Sequence, residues 1–278
     1  MQPDHDHRIQ AILASGIKIP PMPEILLRLN HLLSNPDTGP AELASLIRDD
    51  GALSGAVFRV VGSPVFGLHA KVDSLQRAIA LLGMRNAAAL LRNETLRSAL
   101  NDPLHAKALQ SLWQRSELIA ERCVLIVKMA HLRDISPDSA FMLGMFHDCG
   151  LALLCKRYPA YAEALSGNTW PDILALDQTH QISHSVMGQM VAKNWALPDE
   201  LVLAIRHHHD LHAPELPFAM LRLCAVLQLA INLHAPSQVD DELAWRTEIL
   251  QRLELNADAL TELETNLAGE LTAMSPPD

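Results

Sequence analysis

The sequence predicts an all-α fold, and three observations carry that prediction. Hydrophobic residues make up 49 % of the chain and are mostly Leu and Ala, which favour helix, while the aromatics that strands favour are only 4 %. Most segments repeat their apolar residues at the helical period. Proline, glycine and short polar residues fall where helices should start and stop. No strand-type alternation survives inspection, and there is no internal repeat of roughly 20 to 50 residues.

Taken in order, Pro20, Pro21 and Pro23 set an extended entry to a helix from about Glu24 to Leu33, closed by Asn35-Pro36-Asp37. A second helix runs from Pro40, a good first helical residue, to about Arg48. A third follows Gly51 and stops before Gly62-Ser63-Pro64, and Pro64 to Lys71 reads as a loop. Asp73 or Ser74 caps the next helix, which Gly83 ends, and another spans about Arg85 to Leu100. Asn101-Asp102-Pro103 is a turn signal and the expected boundary. A long helix is expected from Leu104 to Ala130. Ser136-Pro137-Asp138 then starts a helix carrying His147 and Asp148. Ala160 to Leu165 forms a short helix, and Trp170-Pro171-Asp172 opens the next segment. A helix from Thr179 to Asn194 carries His184. Leu197-Pro198-Asp199-Glu200 starts one that runs into His207-His208-His209, and one more follows Pro217. Pro236 breaks the chain before two last helices, about Asp241 to Leu253 and Asp258 to Leu271, and Met274 to Asp278 should fray. The expected organisation is an N-terminal helical subdomain over 1–103, a second bundle over 104–235 packed with it, and a C-terminal helical extension over 236–278.

Composition excludes several classes of function. The formal net charge is −10, so nucleic acid binding lacks its basic footprint, and the arginines between Arg92 and Arg97 read as a solvated helix face. The N-terminus shows no basic start followed by an apolar run. The apolar stretch Phe218 to Leu233 is broken by Arg222, Gln228 and Asn232 and is too short and polar to span a bilayer. Cys123, Cys149, Cys155 and Cys224 show no CxxC spacing and lie in apolar stretches, as buried free thiols of a cytoplasmic protein would. There is no GxSxG, phosphate loop or GxGxxG, and nothing local lowers the pKa of Cys149.

The candidate chemistry lies in His147-Asp148, His184 and His207-His208-His209. Imidazole with carboxylate suits divalent metals, and a working site needs three or more ligands with an open position. Asp148, in an apolar segment, must be paired with a metal, a backbone N–H or a histidine. His207 to His209 sit at an expected helix C-terminus, where the dipole favours imidazolium. His180 and His184, four apart, form a metal-like pair in isolation, although His180 reads better as a solvated residue near a helix start. Fourteen histidines make accidental clusters easy.

Several motifs, in order, resemble a known family. They are Ile19-Pro20-Pro21-Met22-Pro23, the helix Leu43 to Asp50, and the most specific, Val72-Asp73-Ser74-Leu75-Gln76-Arg77-Ala78-Ile79-Ala80-Leu81-Leu82-Gly83. Trp113-Gln114-Arg115-Ser116, Gly144-Met145-Phe146-His147-Asp148-Cys149-Gly150, His184-Ser185-Val186-Met187-Gly188, Asn194-Trp195-Ala196-Leu197-Pro198 and Ala204-Ile205-Arg206-His207-His208-His209 follow. Their order and spacing over about residues 15–235 resemble the HDOD domain, a helical bacterial signalling module related to the HD metal-dependent phosphohydrolases. The resemblance implies two helical bundles, the second HD-like, and action through signalling partners.

The departures qualify what the resemblance implies. Where the HD phosphohydrolases carry their first histidine, this chain has Arg115, and a guanidinium repels a metal rather than ligating it. Where they carry a last aspartate, Val226 and its apolar neighbours stand. The Gly-Tyr-Pro signature of the cyclic-dinucleotide phosphodiesterases is absent, since Asp210-Leu211-His212-Ala213-Pro214 follows His209, and Gly62-Ser63 replaces the family's usual Asn-Ser. What remains is a vestigial candidate metal set of His147, Asp148, His184, His208 and His209, with Arg115 as a candidate anion contact. If Arg115 faces Asp148, a salt bridge can replace the metal. The expectation is a non-catalytic regulatory protein that binds signalling proteins or a small nucleotide ligand, needs no cofactor, and touches neither nucleic acid nor membrane. The alternatives are a metal-dependent phosphohydrolase acting on nucleotides or cyclic dinucleotides, and a metal- or phosphate-sensing module without turnover.

Overall fold

The computed structural model describes residues 16–62, 72–214, 216–234 and 242–274. The fold is all-α, and no strand occurs among the described residues. The expected loop at Pro64 to Lys71, the break at Pro236 and the final residues 275–278 lie outside them. The chain divides into two compact units, one of Pro20–Asn101 and one holding residues 16–19 with Asp102 onward. Residues 16–19 therefore group with the second unit rather than with the N-terminal subdomain to which the sequence assigns them.

The smaller unit comprises α1 (Glu24–Leu33), α2 (Pro40–Ile47), α3 (Gly51–Val61), α4 (Leu75–Leu82) and α5 (Met84–Leu100). Its helix starts follow local chemistry. The Asp50 carboxylate accepts from the Ala52 and Leu53 N–H groups, both at 3.0 Å, and Ser74 Oγ accepts from Arg77 N–H. Gly83 has φ 81°, a conformation that favours glycine, and so ends α4 and admits α5 directly. The core is Leu29, Leu43, Ile47, Val57, Ile79, Leu91 and Leu96, each almost wholly buried.

The larger unit begins with a 3₁₀ turn, Pro103–His105, which Asp102 caps through Leu104 N–H. It continues with α6 (Ala106–Met129), α7 (Pro137–Phe146), α8 (Gly150–Arg157), α9 (Pro159–Leu165), α10 (Ile173–His180), α11 (His184–Asn194), α12 (Asp199–His207), α13 (Phe218–His234), α14 (Glu242–Leu253) and α15 (Ala257–Met274). Helix α6 packs along α7 and α13, and α11 packs between α8 and α12. Helix α13 is buried on nearly every side from Leu221 to Ala230. The two last helices bury Ile249, Leu253, Leu260 and Leu263, with α14 against α13 and α15 against α6. The buried Arg222 guanidinium fastens them, pairing with Asp134 at 3.0 Å and with Glu254, in the turn after α14, at 3.2 Å.

Three sequence expectations need correction here. His147 and Asp148 do not ride on a helix: α7 ends at Phe146, and α8 starts at Gly150. The expected helix Thr179–Asn194 is two helices, because Gln181 adopts a left-handed φ of 53° and Ser183 Oγ caps a fresh start by accepting from Val186 N–H. His180 and His184 therefore do not share a helical face. Ser136 precedes α7 without a side-chain cap bond; Pro137 and the first-turn Asp138 carry that start.

Candidate metal centre

The break between α7 and α8 is what makes the site. It turns Asp148 inward, and the carboxylate is buried among four basic side chains. Its Oδ2 faces His147 Nε2 at 3.1 Å and Arg115 Nη1 at 3.5 Å. Its Oδ1 faces His184 Nε2 at 3.4 Å and His208 Nε2 at 3.7 Å. His209 lies at the rim, its Nε2 3.0 Å from that of His184. The structure thus brings Arg115, His147, Asp148, His184, His208 and His209 to one pocket, from α6, the α7–α8 break, the start of α11 and the end of α12.

Close backbone approach permits this convergence. A Cβ on Gly150 would strike the His184 carbonyl oxygen and the Gly188 nitrogen, so only glycine lets α8 lie this near to α11. Gly144 does the same for α7 against Ala120 on α6.

Hydrogen bonds fix the ring orientations. His147 Nδ1 lies 2.8 Å from the Gly144 carbonyl and His208 Nδ1 2.7 Å from that of Ile205. Carbonyls only accept, so both Nδ1 atoms carry hydrogen, and a neutral ring then presents a bare Nε2 to Asp148. His184 Nδ1 donates to Asp177 Oδ2 at 2.7 Å, and the same oxygen takes the His184 backbone N–H at 2.9 Å. Tyr161 Oη donates to the other oxygen of Asp177 at 2.7 Å. Gln228 on α13 donates to the His208 carbonyl at 3.0 Å. Asp177, Tyr161, Gln228 and Trp170, which stacks on Arg115, are residues that the sequence reading missed.

Electrostatics follow from burial and these neighbours. Burial opposes ionisation of Asp148, but His147, then His184 and His208, hold its carboxyl well below the usual range. Burial also pulls His184 down, yet the Asp177 hydrogen bond and the charges of Asp148 and Asp177 raise it overall. Burial and neighbouring histidines push His208 well down, and push His209 down to about 3. For His208, which is wholly buried, desolvation therefore outweighs the preference for imidazolium that the helix C-terminus would give. Burial lifts the Cys149, Cys155 and Cys224 thiols to about 12 and Cys123 higher, and all four are free and buried.

The donor set suits a divalent cation. Asp148, His184, His208 and His209 each offer a ligand atom, and these atoms lie within 4.8 Å of one another. His147 Nε2 is buried without a hydrogen-bond partner. Nitrogens 3.0 Å and 3.3 Å apart, with a carboxylate beside them, need a proton or a cation between them. The Asp177–His184 bond is the outer partner that metal-bound histidines usually have. Helix α13 supplies no ligand at Val226, which is wholly buried.

Comparison with known proteins agrees with the fold. A family model for the HDOD domain matches residues 19–211. A curated protein of Treponema pallidum, named only as uncharacterized, is 26 % identical over 215 residues; the match covers 75 % of this chain and 41 % of that protein, so the chain spans about two fifths of its length. An HDOD domain protein from Geobacter sulfurreducens has a similar structure, with TM-score 0.74, 20 % identity and 96 % of each chain covered. A protein from Marinobacter aquaeolei VT8, described as a signal transduction protein, gives TM-score 0.74 and 20 % identity, over 95 % of this chain and 63 % of that one. A protein from Shewanella amazonensis SB2B, described as a metal-dependent phosphohydrolase, gives TM-score 0.63 and 15 % identity, over 95 % and 98 %. At these identities the structural likeness speaks for the fold alone. No helix among the described residues is long and apolar enough to cross a membrane.

Proposed function

The chain belongs to the HDOD domain family, and from that premise we propose that it is a non-hydrolytic regulatory protein that acts by binding signalling partners. One observation carries the reading. Arg115, at the position where the related hydrolases are expected to hold their first histidine ligand, places its guanidinium 3.5 Å from Asp148. A fixed positive charge there repels the divalent cation on which open-site metal hydrolysis depends. The apolar Val226, at the position of the expected last aspartate, supports the same reading. The test uses protein without a histidine tag, offered cyclic dinucleotides and a generic phosphodiester with manganese. No turnover is expected; turnover abolished by Asp148→Ala would overturn the proposal.

A second reading is favoured by the four converging ligand atoms. In it Asp148, His184, His208 and His209 hold one divalent cation without turnover, as a structural or sensing ion. Stoichiometric metal in the tag-free protein, lost on Asp148→Ala, supports it; metal-free protein that takes up none on dialysis against manganese overturns it.

A further inference from the structure

The pocket contains a cation that belongs to the chain itself. Arg115 is buried, and its two sides are held differently. Nη1 reaches Asp148 Oδ2 at 3.5 Å, a long ion pair. The guanidinium carbon lies 4.2 Å from the centre of the Trp170 ring, and Nε has no hydrogen-bond partner. One weak ion pair and no other bond would leave a long side chain loose. The aromatic face supplies the missing restraint, attracting a cation laid flat upon it.

Trp170 stands on no helix. It lies in the loop between Ser166, which ends α9, and Asp172, whose carboxylate accepts from Ala175 N–H at 3.0 Å to start α10. Five residues beyond that cap, Asp177 grips His184 through both its ring and its backbone. One loop thus governs two opposed influences on Asp148. Its tryptophan holds a positive charge against Oδ2. Its helix aims the nitrogen of His184 at a place where a positive ion would use Oδ1.

We infer that Arg115, pinned by Trp170, is a tethered cation that competes with a divalent ion for Asp148, and that Trp170 is the positioning residue through which the 166–172 loop sets the ion affinity of the centre. The inference rests on the reading that this centre holds a divalent cation, and adds how that binding is regulated. The competition is electrostatic and local. A guanidinium on one carboxylate oxygen draws charge from the other, and repels a second cation across a buried space that screens poorly. Without the ring, the guanidinium can leave Asp148, and both oxygens become available.

The experiment is a calorimetric titration of the tag-free full-length protein with manganese chloride alone. Trp170→Ala and Arg115→Gln are each expected to bind at least tenfold more tightly than the parent. The double variant should match Arg115→Gln, because Trp170 acts only through Arg115. Trp170→Phe, which keeps a ring, should restore the parent affinity, and Asp148→Ala should abolish binding. A parent that binds nothing overturns the cation reading, and the inference with it, whatever the variants bind. It is overturned, with the cation site left standing, if the parent binds and Arg115→Gln binds no better, or if Trp170→Ala strengthens binding in the Arg115→Gln background. If no variant binds manganese, the cation reading falls and takes the inference with it. Should Arg115→Gln melt early, Arg115→Lys keeps the charge and is expected to bind as weakly as the parent; tighter binding there overturns the inference.

Discussion

Asp177→Asn separates charge from shape at the residue that orients His184. The carboxylate accepts three bonds, from the His184 N–H at 2.9 Å, from His184 Nδ1 at 2.7 Å and from Tyr161 Oη at 2.7 Å. An amide oxygen at the Oδ2 position can keep both His184 bonds, and the tyrosine hydroxyl can rotate to accept from the new NH₂. Geometry therefore survives, and each bond falls from a charge-assisted value of about 1.5–3 kcal/mol towards about 1 kcal/mol. Allowing for relief of a buried charge, the net loss is about 2 kcal/mol. Asp177→Ala strands three buried donors at about 1–3 kcal/mol each and should lose about twice as much. Urea unfolding monitored by circular dichroism measures both. The same asparagine variant should lower the pKa of His184, because Asp177 is the largest influence raising it, and NMR titration of the ring reads this directly. If alanine costs no more than asparagine, or if His184 titrates unchanged, the account of this network is wrong.

Three further outcomes follow from the same geometry. Gly150→Ala, which would add about 1 kcal/mol of stability to an exposed helix, should instead cost roughly 2–3 kcal/mol, because its Cβ meets the backbone of α11; an unchanged urea midpoint contradicts the close approach. In the clasp on the last helices, replacing both Asp134 and Glu254 by Ala should destabilise more, by about 2 kcal/mol, than Arg222→Met, since the acids are half or more exposed and can rehydrate while the guanidinium is buried; thermal melts of the variants decide the order. His208 and His209 have folded pKa values below 6.5, so unfolding takes up protons, and their contribution to stability is present above about pH 6.5 and is lost as the pH falls towards 3. His184, raised instead, contributes below pH 6.5 and loses that contribution as the pH rises through its folded value. His209→Asn should make the acid limb of stability against pH shallower by up to about one proton, less because its ring edge meets solvent; an unaltered limb sinks the assignment.

Much of the fold was legible because its punctuation is local. Pro40, Asp50, Ser74, Gly83 and Asp102 each start or stop a helix through their own backbone or side-chain chemistry. Of the two breaks that build the site, only the second carries such a signal, the Ser183 cap of α11. Gln181 turns left-handed without being glycine, and between Phe146 and Gly150 stands His147-Asp148-Cys149, with neither a proline nor a side-chain cap. Those breaks are imposed by tertiary packing, since a buried Asp148 must turn towards its basic neighbours and Asp177 must reach the first residue of α11. His147, Asp148, His184, His208 and His209 stood out by residue type and by their motifs. Asp177, Tyr161, Trp170 and Gln228 did not, because only the fold brings them near the pocket. His208 also shows how a local rule fails: the helix dipole acts on it, but loss of water acts more strongly.

Helix α13 has a consequence for how such a chain can change over generations. Val226 has no exposed surface, and its neighbours from Cys224 to Leu227 are equally enclosed. An aspartate there would enter an apolar seam as an unpaired charge, at a cost of several kcal/mol. Unless cations or hydrogen-bond donors met it there, it would stay protonated. Arg115→His alone, in turn, removes a charge partner from Asp148 and brings no last ligand. Each replacement taken singly is therefore expected to cost stability. A chain of this sequence is thereby buffered against drifting, one substitution at a time, towards a fuller set of metal ligands.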